Sequence, residues 1–280
     1  MSGYKTKISA KRSLFDLNLR ELFQFRDLLM LFVKRDFISL YKQTILGPIW
    51  FFLQPLLTTI VFTFVFGKIA EISTDGVPRI LFYLAGLTCW NYFSECLLKT
   101  SNTFVENQNI FGKVYFPRLI TPLSIVISGL LKFGIQFILF IGILIGFNII
   151  GDFKSSIDIG LLYFPLLVVL MSLMGLGLGL LISSLTTKYR DFRFLIQFGI
   201  QLWLYATPVI YPISTIEGKM RTVIMLNPMT GIIEAFKSIF LTNTPIDPSS
   251  LIYSIGFTIF ALVIGVIVFN KTEQNFMDTI

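Results

Sequence analysis

The chain of 280 residues has no histidine, two cysteines, and only 14% charged residues. Without histidine, triad catalysis and Cys/His zinc sites are excluded. Cys89 and Cys96 are seven positions apart. On one helix that is about 10 Å, beyond the roughly 7 Å Cα separation that a disulfide tolerates, so they read as buried thiols. No G-x-x-x-x-G-K-[ST] occurs, because Gly112-Lys113 is followed by Val114 and Gly218-Lys219 by Met220. A P-loop for nucleotide phosphates is therefore missing. The lysines near the N-terminus are not followed by an apolar stretch with a small-residue cleavage site, and the leader is expected to stay attached. Charge falls well below the roughly 25% of soluble domains.

Long charge-free runs take its place, and they belong in lipid. Between Lys42 and Lys68 lie 25 uncharged residues, more than the about 20 that cross a hydrocarbon core of about 30 Å. The sequence predicts six spans: Pro48–Phe66, Ile80–Leu98 with Glu95 near its end, Leu119–Gly151 containing Lys132, Ile159–Thr187, Phe194–Ile216 and Pro248–Asn270. Six spans put both termini on one side. The segments on that side (1–42, 99–118, 188–193, 271–280) hold 16 Lys and Arg, and those on the other hold 6. The positive-inside rule then makes the termini cytoplasmic. The formal charge of +7 is thereby explained as topology, and no nucleic-acid partner is expected.

Two segments depart from the span pattern. In 20–42, Leu22, Phe25, Leu29, Phe32, Phe37 and Leu40 recur at helical spacing among Arg20, Gln24, Asp27, Lys34, Arg35 and Lys42. This predicts an amphipathic helix on the membrane surface, although a helix packed on another protein carries the same signature. Gly47 breaks it, and Pro48 suits the first turn of span 1. The chain divides into a tail with interface helix, 1–46, and a membrane domain, 47–280. The second segment, 213–247, is too apolar for a solvated loop. Asn227 followed by Pro228 reads as cap and first turn of a helix to Leu241. At about 21 Å that helix is too short to cross, so it is expected to dip into the outer face and return.

Gly175, Gly177 and Gly179 lie inside span 4 with no preceding strand, where close helix packing outranks nucleotide binding. Lys132 needs a polar interior, a carboxylate or an interface to snorkel to. Trp50, Trp90, Tyr92, Trp203, Tyr205 and Tyr211 sit near span ends or prolines, where an interfacial belt and sugar stacking both account for them.

The junction Asp36-x-x-x-x-Tyr41-Lys42-Gln43-Thr44-x-Leu46-Gly47-Pro48-x-Trp50-x-x-x-x-Pro55 resembles the permease subunit of ABC-2 type polysaccharide exporters, the O-antigen, capsular polysaccharide and teichoic acid export family. Phe116-Pro117-Arg118-Leu119-Ile120-x-Pro122-Leu123-Ser124 and Tyr189-Arg190-Asp191-Phe192-Arg193 extend the likeness. So do Trp203-x-x-x-x-Pro208-Val209-x-Tyr211-Pro212, Leu226-Asn227-Pro228-Met229-Thr230 and Glu273-x-x-Phe276-x-Asp278. The resemblance implies an all-α fold of six transmembrane helices with an interface helix and short re-entrant gate helices between spans 5 and 6. It also implies a homodimer paired with two ATP-binding cassette subunits, which would hold the ATP and Mg, leaving no cofactor in this chain. Its setting would be the bacterial cytoplasmic (inner) membrane, and its substrate a lipid-linked glycan. Lys132 stands where many relatives would carry a carboxylate.

On that footing, three groups of residues become candidates. Arg35, Lys42, Arg190 and Arg193 would form a basic inner rim for the carrier diphosphate, with Trp50, Trp203, Tyr205 and Tyr211 along the substrate pathway. Pro212, Asn227, Pro228, Glu234 and Lys237 would form the outer gate, the last two pairing at i, i+3. The loop 99–118 would dock the ATPase through Asn102, Val105, Glu106, Phe111 and Tyr115. The competing expectation is an integral-membrane glycosyl- or acyltransferase. That needs a convergent acid/base or metal cluster, and the sequence has no D-x-D.

Overall fold

The computed structural model describes residues 19–39, 42, 44–154, 159–189, 191–242 and 244–275, and every regular element among them is helical. Leu40, Tyr41, Gln43, Arg190, Phe276 and Asp278, all part of the motifs above, lie outside the described residues. The chain begins with α1 (Leu19–Gln24) and α2 (Arg26–Ser39). Gly47, at φ +53°, turns it into a short 3-10 segment with Pro48 in its first turn. From there α3 (Trp50–Phe62) runs on through a π-turn to Ile69.

The central helix is α4 (Arg79–Ser101), buried over most of its surface. Two four-residue helices follow, α5 (Thr103–Glu106) and α6 (Gln108–Phe111). Next come α7 (Ile120–Ile150) and α8 (Phe164–Lys188). Gly151 stops α7 in the left-handed conformation, its N–H donating to the Phe147 carbonyl at 3.2 Å. The remaining helices are α9 (Phe192–Tyr205), α10 (Gly218–Met225), α11 (Pro228–Lys237) and α12 (Pro248–Asn275).

The glycines of α8 do what their spacing predicts. A β-carbon on Gly175 would lie 2.7 Å from the Cys96 side chain, and one on Gly179 would lie 2.5 Å from Thr100, so both admit α4. Gly177 faces α12, where its β-carbon would meet Leu262 N at 2.7 Å. Main chain cannot step aside as a side chain can. Gly177→Val is therefore expected to lower stability by about 1–3 kcal/mol through overpacking, read as a drop in the thermal midpoint of the chain in detergent. An unchanged midpoint would show that the α8–α12 seam is slack. Cys89 and Cys96 are both free and fully buried on α4.

Among the described residues, four helices are long and apolar enough to cross a membrane: Gly47–Ile69, Ile120–Ile150, Gly160–Lys188 and Pro248–Gln274. The α10–α11 pair, bent by 94°, passes the same test when taken together. Two expected spans differ. Ile80–Leu98 is helical throughout as part of α4, but Arg79, Glu95 and Lys99 make α4 less apolar than the others. Phe194–Ile216 is not one helix. Its helix, α9, starts at Phe192 and stops at Tyr205 after 14 residues, because Pro208 disfavours helical backbone at the residue before it and lacks the N–H that would continue the ladder.

The N-terminal helix also differs from its expected setting. Instead of resting only on the membrane, α2 packs along α7. Its predicted apolar stripe is spent inside this chain: Phe32 is buried, and Leu22, Phe25 and Leu29 pack around the same cluster. Phe37 stacks on Phe51 at 5.7 Å.

Candidate functional site

The long helices alternate in direction along the chain, so the described residues have two ends. At the first lie α1, α2, α5 and α6, the start of α7 and the end of α12. A phenylalanine cluster knits this end together: Phe32, Phe104, Phe111, Phe116 and Phe269 are all buried in it. Arg118 donates to the Glu273 carbonyl at 2.7 Å, and its Nε lies 3.9 Å from the Glu273 carboxylate. The loop 99–118 is thus tied to the end of α12. Both residues belong to recognised motifs, yet their pairing across 155 positions left no trace in either.

Of the proposed basic rim, Arg35 is spoken for. It pairs with Asp36 at 2.7 Å and lies over the Phe32 ring. Asp36 also accepts from Ser124 at 3.3 Å, which fixes α2 to α7. Arg193, at the start of α9, is half-buried with an Nε that lacks a hydrogen-bond partner among the described residues. Lys42 is exposed, and Arg190 lies outside the described residues.

Of the proposed docking residues, Phe111 is 5% exposed. Phe111 belongs to the core that holds α6 in place. Val105 is half-buried, whereas Val114 and Tyr115 are exposed by 59% and 63%. Asn102 caps α4 through its own side chain, donating to Leu98 O at 3.0 Å. Glu106 lies exposed at the end of α5. Partial desolvation raises its carboxyl above the usual range, against the pull of Arg193 and Lys99.

Between the two ends, Lys132 has the carboxylate it requires. Its Nζ donates to Glu95 Oε2 at 2.8 Å, and Glu95 Oε1 receives Lys99 at 2.7 Å. Two helices thus share one carboxylate. The sequence held the signal, a lone acid and a lone base in neighbouring apolar runs, but nothing in it joined them.

At the second end, Asn227 caps α11, its Oδ1 accepting from Met229 N at 3.0 Å. Its Nδ2 donates to Thr207 Oγ1 at 2.8 Å, clasping the segment that follows α9. Glu234 and Lys237 pair at 3.7 Å as their spacing predicts. Lys237 is 3% exposed, donates to the Pro208 carbonyl and lies 3.6 Å from the Phe82 ring centroid. Pro228 and the rest of α11 are buried, Glu234 excepted, so this helix is more enclosed than a surface gate would be. Pro212 is buried beside it. Asp75 accepts from Ser214 at 2.6 Å across the mouth, a contact with no sequence signature.

The pathway aromatics do not gather. Trp50 and Tyr205 are exposed. Trp203, half-buried, packs edge-on against Trp90 and Phe93 at 6.0 and 5.3 Å, on the side of the core. Tyr211 is half-buried and donates to the Tyr205 carbonyl at 3.2 Å.

The ABC-2 type transporter family matches residues 27–241. This chain belongs to that family. Among the relatives of this ABC-2 protein is an O-antigen export system permease protein RfbA of Klebsiella pneumoniae, 27% identical over 93% of the chain and 96% of the relative. The RfbA of Myxococcus xanthus is 26% identical over 94% and 98%. The polysialic acid transport protein KpsM of Escherichia coli is 20% identical over 88% and 93%. The α10–α11 pair with its 94° bend lies largely within the family match, and the phenylalanine cluster draws on both the matched part and α12.

Proposed function

We propose that this ABC-2 chain is the membrane permease of an ATP-driven exporter of lipid-linked polysaccharide in the bacterial cytoplasmic (inner) membrane. The observation that carries the reading is its similarity, over nearly its whole length, to proteins named as O-antigen export permeases. In this reading α4 and α9 join the four long apolar helices to make six crossings. The buried ion pairs neutralise Glu95 within α4, and the bent α10–α11 pair is a re-entrant gate on the outer side. Both termini and α5–α6 face the cytoplasm, because that end carries most of the Lys and Arg.

Exposed apolar faces on α3 (Ile60, Val61) and α9 (Phe194, Phe198, Leu202) support contact with lipid and with a second copy of the chain, forming a homodimeric channel. Two ATP-binding subunits would dock on the α5–α6 end, holding the ATP and Mg that this P-loop-free sequence does not. Arg193 and Lys42 would meet the diphosphate of the lipid carrier as it enters. Deleting the chain in a cell that makes the glycan is expected to trap lipid-linked polymer inside while synthesis continues. Normal polymer at the surface of that strain would refute the reading.

Topology has its own test. In intact cells, Met220→Cys and Val223→Cys, both more than 60% exposed, are expected to react with a membrane-impermeant thiol reagent. Val114→Cys should react only in broken cells. Ile232→Cys, fully buried on α11, should react only after unfolding. Labelling of Val114→Cys from outside would invert the orientation.

A further inference from the structure

At the second end, a cavity of about 500 Å³ lies between the loop around Asp75, the α10–α11 pair and the approach to α12. Its size falls within the roughly 300–1,000 Å³ of small-ligand sites. It is enclosed by one protomer, apart from the apolar faces assigned to the channel. Its charged lining consists of Asp75, Glu234 and Asp247 against Arg221 and Lys237, which leaves one negative charge in excess.

The hydrogen-bond accounting shows what such a cavity lacks. Its donors, apart from the exposed Arg221 guanidinium, are largely committed within the protein. Lys237 gives to Pro208 O, Thr230 to Ile224 O, and Ser238 to Thr244 O. Its acceptors are not. Glu234 Oε1 is buried with no hydrogen-bond partner among the described residues, at ion-pair distance from Lys237 only. Asp75, which is exposed, receives Ser214 on Oδ2, and no bond to its other oxygen is present among the described residues. A buried carboxylate oxygen without a donor, as at Glu234, is costly, so a ligand rich in hydroxyl donors fits. Val77 and Phe153 supply apolar wall for the C–H face of such a ligand. An anionic ligand would instead face the surplus carboxylate.

We infer that this cavity binds a neutral, hydroxyl-rich sugar segment, held by Glu234 and Asp75, and discriminates against acidic sugars. The inference rests on the export reading for the presence of glycan at this face, and on the cavity alone for its chemistry.

The test is saturation-transfer NMR on the full-length chain in lipid nanodiscs, without ATP or partner, using maltotriose and, in parallel, trigalacturonic acid. Maltotriose is expected to show transfer, and trigalacturonic acid at least fivefold less. Asp75→Asn should reduce the maltotriose signal at least fivefold while keeping the fold, since asparagine tolerates the positive φ of 51° at this position. Ser214→Trp, which places an indole at an exposed position of the mouth, should do the same. Equal signals from the two trisaccharides, no transfer to the wild-type chain, or undiminished transfer to both variants would each overturn the inference. Because no transport is measured, a chain that exports glycan without binding maltotriose refutes the cavity alone. A chain that binds maltotriose but exports nothing refutes the export reading alone.

Discussion

Glu95→Leu is expected to leave little folded protein. The carboxylate holds Lys132 at 2.8 Å and Lys99 at 2.7 Å, and the Lys132 side chain is only 20% exposed. Lys99 is near the end of α4 and can extend toward water. Lys132 lies twelve residues into α7, far from either end of that 31-residue helix, and would be left as an uncompensated ammonium. Breaking such a pair from one side costs about 3–5 kcal/mol, which is a large part of the roughly 5–15 kcal/mol that holds a typical protein folded.

Removing the base instead should be milder, because Lys132→Met leaves Glu95 still paired with Lys99. Combining Glu95→Leu with Lys132→Met should restore most of the lost stability, since an apolar pair of similar size needs no compensation. The measurement is the yield of monodisperse protein and its thermal midpoint for the two single variants and the double. A Glu95→Leu chain as stable as the wild type would mean that water or lipid headgroups already neutralise Lys132.

Phe111→Asp should be as damaging, and for a reason unrelated to any partner. The ring sits 5.9 Å from Phe104 and 5.7 Å from Phe116, centroid to centroid, with the Arg118 guanidinium 5.6 Å away. Losing a buried phenylalanine costs about 3–5 kcal/mol, and burying a carboxylate in its place adds a further penalty. The expected outcome is loss of folded chain.

Val114→Asp makes the contrast, because that side chain is 59% exposed. It should keep the wild-type midpoint while reducing the amount of ATP-binding subunit that co-purifies. If Val114→Asp bound the partner normally and exported glycan normally, the docking surface would lie elsewhere on this end, with the Lys188–Arg193 region next in line.

Local signals in the sequence were legible wherever the cause was local. Asn227 and Pro228 begin α11, Gly47 and Pro48 begin the first long helix, and the α8 glycines face their neighbours because one helix turn fixes where they point. The i, i+3 pairing of Glu234 and Lys237 was legible for the same reason. What depends on distant partners was not. Phe111 looks like a docking residue in the sequence because a solvated loop has no need of an apolar side chain there, and only the approach of α2 and α12 encloses it. Trp203 read as a pathway residue because it precedes two prolines, yet α4 supplies Trp90 and Phe93 to cover it. The cavity at the second end combines residues from three separated stretches, and no single stretch announces it.

The glycine contacts of α8 have a mechanical consequence. With α4 on one side and α12 on the other, they make these three helices a stator. Backbone seated on backbone has no flexible side chains to absorb strain, so it either stays closed or parts as a unit. By contrast α9 carries Phe194, Leu195, Phe198 and Leu202 all more than half exposed, and α3 leaves Leu57, Ile60 and Val61 similarly bare. Few internal contacts must break for these two helices to tilt. In the export reading, a push arriving through α5 and α6 would find its compliant parts in α3 and α9, which would swing while the glycine-seated trio stood still.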